Sequence, residues 1–385
     1  MILRITRSTF ALFLLFTAFA SIGSAQTNLT ITNGSSVSVR VRERRANIWA
    51  DPNAANMVFD RWVGDTTLVE DPTSASTFVN ARSKNIALTA TYKPAPPWSL
   101  TEETINGVDV LYYIPQNPAG IIFRFHGSGG SAQSTLSSIE SRLFSNDAVA
   151  AGYGIIALDS TDRVTGDWSF LPPPNNPDIN NVQAIITNFT QRGLISPSDA
   201  LLAQGTSRGG VFSSMVVYFL NFRADAIYIA YGVDAVMPLT TVPTIFCVAA
   251  NDDQDLVGPE GNQRAYTQAM SLQKRGIMAS FNMHAASPVY PERFWRLANL
   301  TEADSHNIYN ALKAGGFLDG RDYLLDNPRN TNWQSVIPLQ YQPYISGITT
   351  VLGAAYANHG FYSDYNSRVL RFYSEAISAS KDRSK

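Results

Sequence analysis

The chain has 385 residues, a formal net charge of −2 and a single cysteine, Cys247. Apolar side chains make up 45% and charged ones 16%, enough for a large packed core, which excludes a disordered or fibrous chain. The even balance of 29 Lys+Arg against 31 Asp+Glu leaves no basic surface for nucleic acid or for an anionic membrane. One cysteine excludes a disulfide framework and a multi-cysteine zinc site, and imidazole is confined to His126, His284, His306 and His359.

The first element reads as an export signal. Arg4 and Arg7 precede the apolar run from Phe10 to Ala20, and small residues follow at Gly23 and Ala25. A basic start, a short apolar stretch and a small-residue cleavage site make residues 1–25 a secretory signal peptide. The run falls short of the roughly 20 apolar residues that a membrane span needs. An uncleaved anchor is the competing reading, and no cysteine follows for lipid attachment. The mature chain is then expected to start near Gln26, to be secreted or periplasmic, and to have no membrane contact after cleavage.

Residues 28–93 read as strands and turns. Val37, Val39 and Val41 alternate with polar residues, as do Ile86, Leu88 and Ala90 with theirs, the period of a half-buried strand. Asn33-Gly34, Asp51-Pro52, Gly64-Asp65 and Asp71-Pro72 supply turns. The string Phe59-Asp-Arg-Trp62-Val-Gly64-Asp65, then Asp71-Pro72, then Leu88-Thr-Ala90-Thr-Tyr92, resembles the bacterial extracellular repeat domain related to the internalin B-repeat. One copy is present. The resemblance implies a small all-β module serving as a spacer or an adhesive element, with Phe59 and Trp62 filling its core. Residues 94–97, Pro-Ala-Pro-Pro, form a stiff linker.

From 98 to 385 the pattern changes. Apolar runs at 121–125, 154–158, 201–204, 227–230, 244–249 and 277–281 alternate with helical stretches such as 211–220 and 263–274. Strand–helix alternation predicts an α/β fold, a mostly parallel sheet with helices on both faces and its chemistry at the carboxyl ends of the strands.

The run ending at Gln204 is followed by Gly205-Thr206-Ser207-Arg208-Gly209-Gly210 and then a helix. G-x-S-x-G between strand and helix is a nucleophile elbow, whose small residues allow a sharp turn and whose helix N-terminus favours negative charge developing at Ser207. After Phe125 comes His126-Gly127-Ser128-Gly129-Gly130-Ser131, which looks like the oxyanion loop of α/β-hydrolases. It makes the Ser128 and Arg208 N–H groups candidate oxyanion donors, with His126 as a brace of the loop. A phosphate loop is disfavoured, because no Gly-Lys-Ser/Thr follows.

α/β-Hydrolases carry the acid of the triad after the next-to-last core strand, and here Asn251-Asp252-Asp253-Gln254-Asp255 follows the run ending at Ala249. Counting the strand from Pro243 favours Asp252. Counting back from Val257 and Pro259 favours Asp255, with Asp253 between. Asp252 is preferred because strands vary less in length than loops. A calcium loop would need the D-x-[DN]-x-[DN]-G spacing, which is missing.

The base lies C-terminal to the acid. His306 falls beside the Ile308–Tyr309–Leu312 stripe of a helix capped by Thr301 and reads as a surface residue. His284 ends the last apolar run. His359 precedes the terminal helix, 365–378, where α/β-hydrolases place this residue, so it leads and His284 is the alternative. Ser207, Asp252, His359 is also the family's chain order. The stretch of about 288–345 exceeds what a loop requires and reads as a helical insertion. It is either a lid, with Trp295 and Trp333 as substrate contacts, or a side subdomain. Residues 162–168 form another candidate wall.

The resemblance to secreted α/β-hydrolases runs from Trp98 to the C-terminus and implies a serine hydrolase of carboxylic esters with no cofactor and no metal. The H-G-S-G-G-S loop is similar to that of extracellular polyester depolymerases and of feruloyl or acetylxylan esterases, which implies a polymeric or polysaccharide-linked ester. That branch's usual disulfides are absent. Two rivals stand beside this reading: a serine peptidase of the prolyl-oligopeptidase-like branch, for which no acidic pair or propeller is evident, and a non-catalytic adhesin on a hydrolase scaffold, which predicts a broken triad. Oligomeric state, acyl chain and alcohol are not encoded in any pattern found.

Overall fold

Two hydrophobic periodicities alternate along this chain, and each builds its own kind of layer. The structure is a computed structural model that describes residues 28–36, 45–52, 57–80, 85–255 and 257–382. The signal-peptide segment 1–25 and the Val37–Val39–Val41 strand lie outside the described residues.

The period-2 segments fold into two small three-stranded sheets. β1 (Asn28–Thr32), β6 (Asn85–Pro94) and β4 (Met57–Gly64) make one, and β2 (Gly34–Ser36), β3 (Arg45–Ala50) and β5 (Ser76–Asn80) make the other. Ile86, Leu88 and Ala90 on β6 are buried while Asn85 and Ala87 are exposed, the alternation that a pleated strand imposes. Trp62 fills the space between the sheets, and its indole N–H donates to the Ser74 carbonyl at 3.0 Å, so burial costs the ring no unpaired donor. Phe59 packs against it with ring centroids 5.8 Å apart.

The remaining strands form one eight-stranded sheet: β7 (Thr101–Ile105), β8 (Val108–Tyr113), β9 (Ile121–Phe125), β10 (Gly154–Leu158), β11 (Leu201–Thr206), β12 (Ala224–Tyr228), β13 (Thr244–Ala249) and β14 (Ala279–His284). Their spatial order is β7-β8-β10-β9-β11-β12-β13-β14, antiparallel at β7–β8 and β8–β10 and parallel from there on. This is the α/β-hydrolase fold. β7 and β8 were not expected from the sequence: Thr-Glu-Glu-Thr on the edge strand β7 carries no apolar run, and the apolar residues of β8 form only a short stretch that Asp109 interrupts. β12 also begins earlier than expected, since the buried Asp225 interrupts its apolar pattern.

Strand periodicity sorts side chains onto two faces. Ile122, Ile155, Leu202 and Ala226 pack with α1 (Ala132–Ser137), α2 (Ile139–Ala150) and the terminal helix, Asn366–Asp382. Ile121, Phe123, Phe125, Ile156 and Ala203 pack on the other side with α3 (Pro177–Gln191) and α4 (Arg208–Phe219), and α5 (Pro259–Lys274) covers the adjoining strands. Both faces being buried explains why these strands read as continuous apolar runs.

Between β14 and α8 (Asn366–Asp382) lies a helical region of α6 (Glu302–Ala314), α7 (Ile345–Tyr356) and three short 3-10 segments. It has its own core, in which Phe294, Ile308, Leu312, Trp333, Ile348 and Leu352 are all fully buried. Thr301 caps α6 in a reciprocal box with Asp304. The small sheets rest on this region and on α8: Trp49 stacks on Tyr290 with centroids 4.0 Å apart, Arg371 pairs with Asp71 at 2.9 Å, and Ser74 Oγ donates to the Asp364 carbonyl at 3.2 Å. No helix among the described residues is long and apolar enough to cross a membrane.

Candidate active site

β11 delivers Ser207 to the carboxyl edge of the sheet, and α4 starts at the next residue. Ser207 has φ +54° and ψ −123°, a conformation that non-glycine residues avoid and that persists only where the surroundings fix it. The flanking glycines are fixed by close backbone approach. A Cβ at Gly205 would collide with the Gly209 carbonyl, and one at Gly209 with the carbonyls of Phe125 and His126. The second collision also shows that the elbow nests directly against the end of β9.

At the tip, Ser207 Oγ donates to His359 Nε2 at 2.9 Å, and His359 Nδ1 donates to Asp252 Oδ2 at 2.8 Å. Asp252 is only 2% exposed, and its other oxygen accepts the Gln254 N–H at 3.1 Å, so the buried carboxylate is paired on both sides. A hydroxyl bonded to an imidazole that a buried carboxylate holds in one tautomer is an activated nucleophile. Asp253 instead turns outward and accepts from Asn327 Nδ2 at 2.9 Å, and Asp255 is exposed.

The other histidines are engaged elsewhere. His284 is buried, with Nε2 2.8 Å from the Ala354 carbonyl and its ring stacked on Tyr362. His306 lies 3.3 Å from Glu292 on the surface. His126 Nε2 accepts the Ser160 N–H at 3.1 Å, and its carbonyl accepts the Trp168 indole N–H at 2.8 Å. Burial pushes the His126 imidazole below its ordinary pKa, which matches a ring that accepts rather than carries charge.

The H-G-S-G-G loop lies against the elbow, with the Gly127 position facing the Ser207 Cβ. The N–H groups of Ser128 and Arg208 make no hydrogen bond to other described residues. Residues 159–170 brace the loop. Gly129, at φ +70°, donates to the Thr165 carbonyl at 3.1 Å, and Ser128 Oγ donates to Asp167 Oδ1 at 2.6 Å. Asp167 also lies 3.7 Å from Arg208 Nε, so one carboxylate ties together the side chains of both candidate oxyanion residues.

Trp333 does not serve as a substrate contact. It is 0% exposed, and its indole N–H donates to the Pro328 carbonyl at 3.1 Å, because this indole is the centre of the helical region's own core. Trp295 is half-buried. Asp167 belongs to the candidate wall 162–168 and Asn251 directly precedes Asp252. Asn327 and Arg329 carry no signal in the sequence, because they meet the site only across large separations and no local spacing marks them.

Metal-ligand character lies elsewhere. Ligand atoms of Glu292, Glu302 and His306 fall within 4.8 Å of one another. Asp51, which follows β3, feels their charge: burial, then the charges of Glu292 and Glu302, push its carboxyl up to about 6. None of these residues belongs to the Ser207 constellation.

No family model matches the sequence, and no curated protein matches it either. Solved structures do. An acetyl xylan esterase from Aspergillus awamori is similar at 15% identity and a TM-score of 0.36, over 46% of this chain and 81% of that one. The Pyrococcus furiosus esterase Pf2001 is similar at 12% identity and a TM-score of 0.36, over 50% and 87%. A sugar hydrolase from Lactococcus lactis, YeeB, is similar at 17% identity and a TM-score of 0.38, over 53% and 90%.

Proposed function

We propose that this chain is a serine hydrolase that cleaves carboxylic esters through an acyl-enzyme. The observation that carries the reading is the unbroken line from buried Asp252 through His359 to Ser207, at 2.8 and 2.9 Å. Ser207 attacks the ester carbonyl as His359 Nε2 takes its proton, and ionised Asp252 stabilises the imidazolium so formed. The carbonyl oxygen becomes an oxyanion that the Ser128 and Arg208 N–H groups bind, each such donor contributing about 3 kcal/mol to the barrier reduction. His359 gives its proton to the leaving alkoxide, and the acyl group stays on Ser207. The same imidazole then takes a proton from water, which attacks the acyl-enzyme, and returns it to Ser207 Oγ as the acyl–oxygen bond breaks and the acid is freed.

The proposal extends to location and substrate. Export by residues 1–25 puts the activity in the periplasm or outside the cell. The H-G-S-G-G loop favours a polymeric or polysaccharide-linked ester, and residues 28–93 act as a spacer or adhesive module. Trp49 on Tyr290 and Asp71 on Arg371 hold that module against the catalytic region, which supports a fixed spacer over a loose tether.

Hydrolysis of p-nitrophenyl acetate and butyrate by the chain from Gln26 onward tests the reading, with acetylated xylan and an aliphatic polyester as polymeric substrates. Turnover by the wild type, lost by at least about a thousandfold in Ser207→Ala and His359→Ala, is the expected result. A wild-type rate equal to that of Ser207→Ala contradicts it.

A further inference from the structure

The insertion's path beside the site suggests a task other than covering it. Its buried Trp333 grips the Pro328 carbonyl, and the chain turns sharply there, with the Asn330 N–H donating to the Asn327 carbonyl at 2.9 Å. That turn presents Asn327, a polar side chain only 4% exposed, to two loops at once. Asn327 Nδ2 donates to Asp253 Oδ2 at 2.9 Å, and Asn327 Oδ1 accepts from Asn358 Nδ2 at 3.3 Å and from the Arg329 N–H at 3.0 Å. Asp253 directly follows Asp252, and Asn358 directly precedes His359. The Arg329 guanidinium completes the arrangement by donating to the His359 carbonyl.

We propose that Asn327 is a positioning residue that sets the distance between the loop of Asp252 and the loop of His359, a role that rests on the hydrolase reading above. The chemistry of the amide fits the task. It meets a carboxylate with its donor end and an amide and an N–H with its acceptor end, and no other uncharged side chain of that length satisfies both in a buried site. A second tie supports the same geometry: Asn251 donates through its N–H to the Ala357 carbonyl at 2.9 Å and through Nδ2 to the Tyr356 carbonyl at 2.7 Å. Ala357 itself ends α7 at φ +61°, so His359 leaves the helix through a sharp left-handed turn whose direction these bonds fix. Proton transfer from Ser207 to His359 depends on this alignment at the sub-ångström level.

The test measures kcat and KM for p-nitrophenyl acetate, with thermal midpoints alongside, in the chain from Gln26 onward. Asn327→Ala lowers kcat on the order of tenfold to a hundredfold while KM stays within about twofold, because alignment and not ground-state binding is lost. Asn327→Asp lowers it further by setting two carboxylates face to face. The double variant Asp253→Asn with Asn327→Asp restores an amide–carboxylate pair in the reverse direction and recovers about tenfold over Asn327→Asp alone. Wild-type kcat in Asn327→Ala and Asn327→Asp, or no recovery in the double variant, overturns the proposal. If Asn327→Ala does not fold, Asp253→Ala tests the same tie from its exposed side: a several-fold fall in kcat supports it and wild-type kcat overturns it. A wild type that turns over no ester takes down the hydrolase reading and this proposal together, whereas an active wild type with indifferent variants takes down the positioning role alone.

Discussion

Ser207 and the Ser128 loop ride on the ends of β11 and β9, strands buried on both faces, and are locked to each other by glycine-level contact between backbones. Asp252 and His359 are held differently. The acid follows β13 but the base follows α7, outside the sheet, and the two loops meet through Asn251 of the acid's own loop and Asn327 from a third segment. Packing positions Ser207 and the candidate oxyanion donors; hydrogen bonds position Asp252 and His359. A packed contact fails by collision and takes the fold with it. A polar tie fails by loosening and takes mainly the rate.

The largest effect expected from this contrast is on chemistry. Asp252→Asn keeps the shape of the buried site but leaves His359 facing an amide, and kcat is expected to fall about ten-thousandfold. Asp255→Asn, on an exposed side chain, stays within about twofold. Steady-state kinetics of both variants check the claim, and equal effects would break the assignment of the acid. Next comes Gly209→Ala, whose new methyl group meets the carbonyls of Phe125 and His126. Urea unfolding is expected to show a loss of about 3 kcal/mol or more, with any folded fraction poorly active. A wild-type midpoint would mean that the elbow is held less tightly than its backbone contacts imply.

Smaller effects sharpen the comparison at the seam between the small sheets and the helical region. The Asp51 carboxyl has its folded pKa raised to about 6 by burial and by Glu292 and Glu302. A raised carboxyl binds its proton more tightly in the folded state, so it destabilises above that pKa and is relieved as pH falls through about 6 towards the unfolded value. Asp51→Asn is therefore expected to stabilise the chain at pH 8 by about 1 kcal/mol, a figure discounted for the group's partial exposure, and by less at pH 5. Thermal melts at the two pH values check the sign. Smallest is Arg371→Ala, which removes a half-exposed partner of Asp71 and is expected to cost at most about 1 kcal/mol, since Thr73 still donates to that carboxylate.

The same contrast explains what could be read from the residues in advance. The elbow and the oxyanion loop are local: their glycines lie within a few residues of the group they serve, so spacing reveals them. His359 could be ranked first from its place before the terminal helix, and Asp252 from strand length, with Asp253 and Asp255 left in contention because a loop of three acids has no period. β7 escaped notice because an edge strand needs no apolar run, and β8 because Asp109 breaks its short apolar stretch. The sequence leaves Trp333 open between a substrate contact and a side subdomain, since only the helices that bury it decide. Asn327 was the least legible, being one amide among many whose partners lie 74 and 31 residues away.

The most direct measurement of the central claim is intact-mass analysis after treatment with a fluorophosphonate, comparing the wild type with Ser207→Ala and His359→Ala at matched fold. One adduct on Ser207 in the wild type, none in Ser207→Ala and strongly slowed formation in His359→Ala is the result this structure predicts. A folded wild type that takes up no label, or a His359→Ala variant labelled at the wild-type rate, would contradict it.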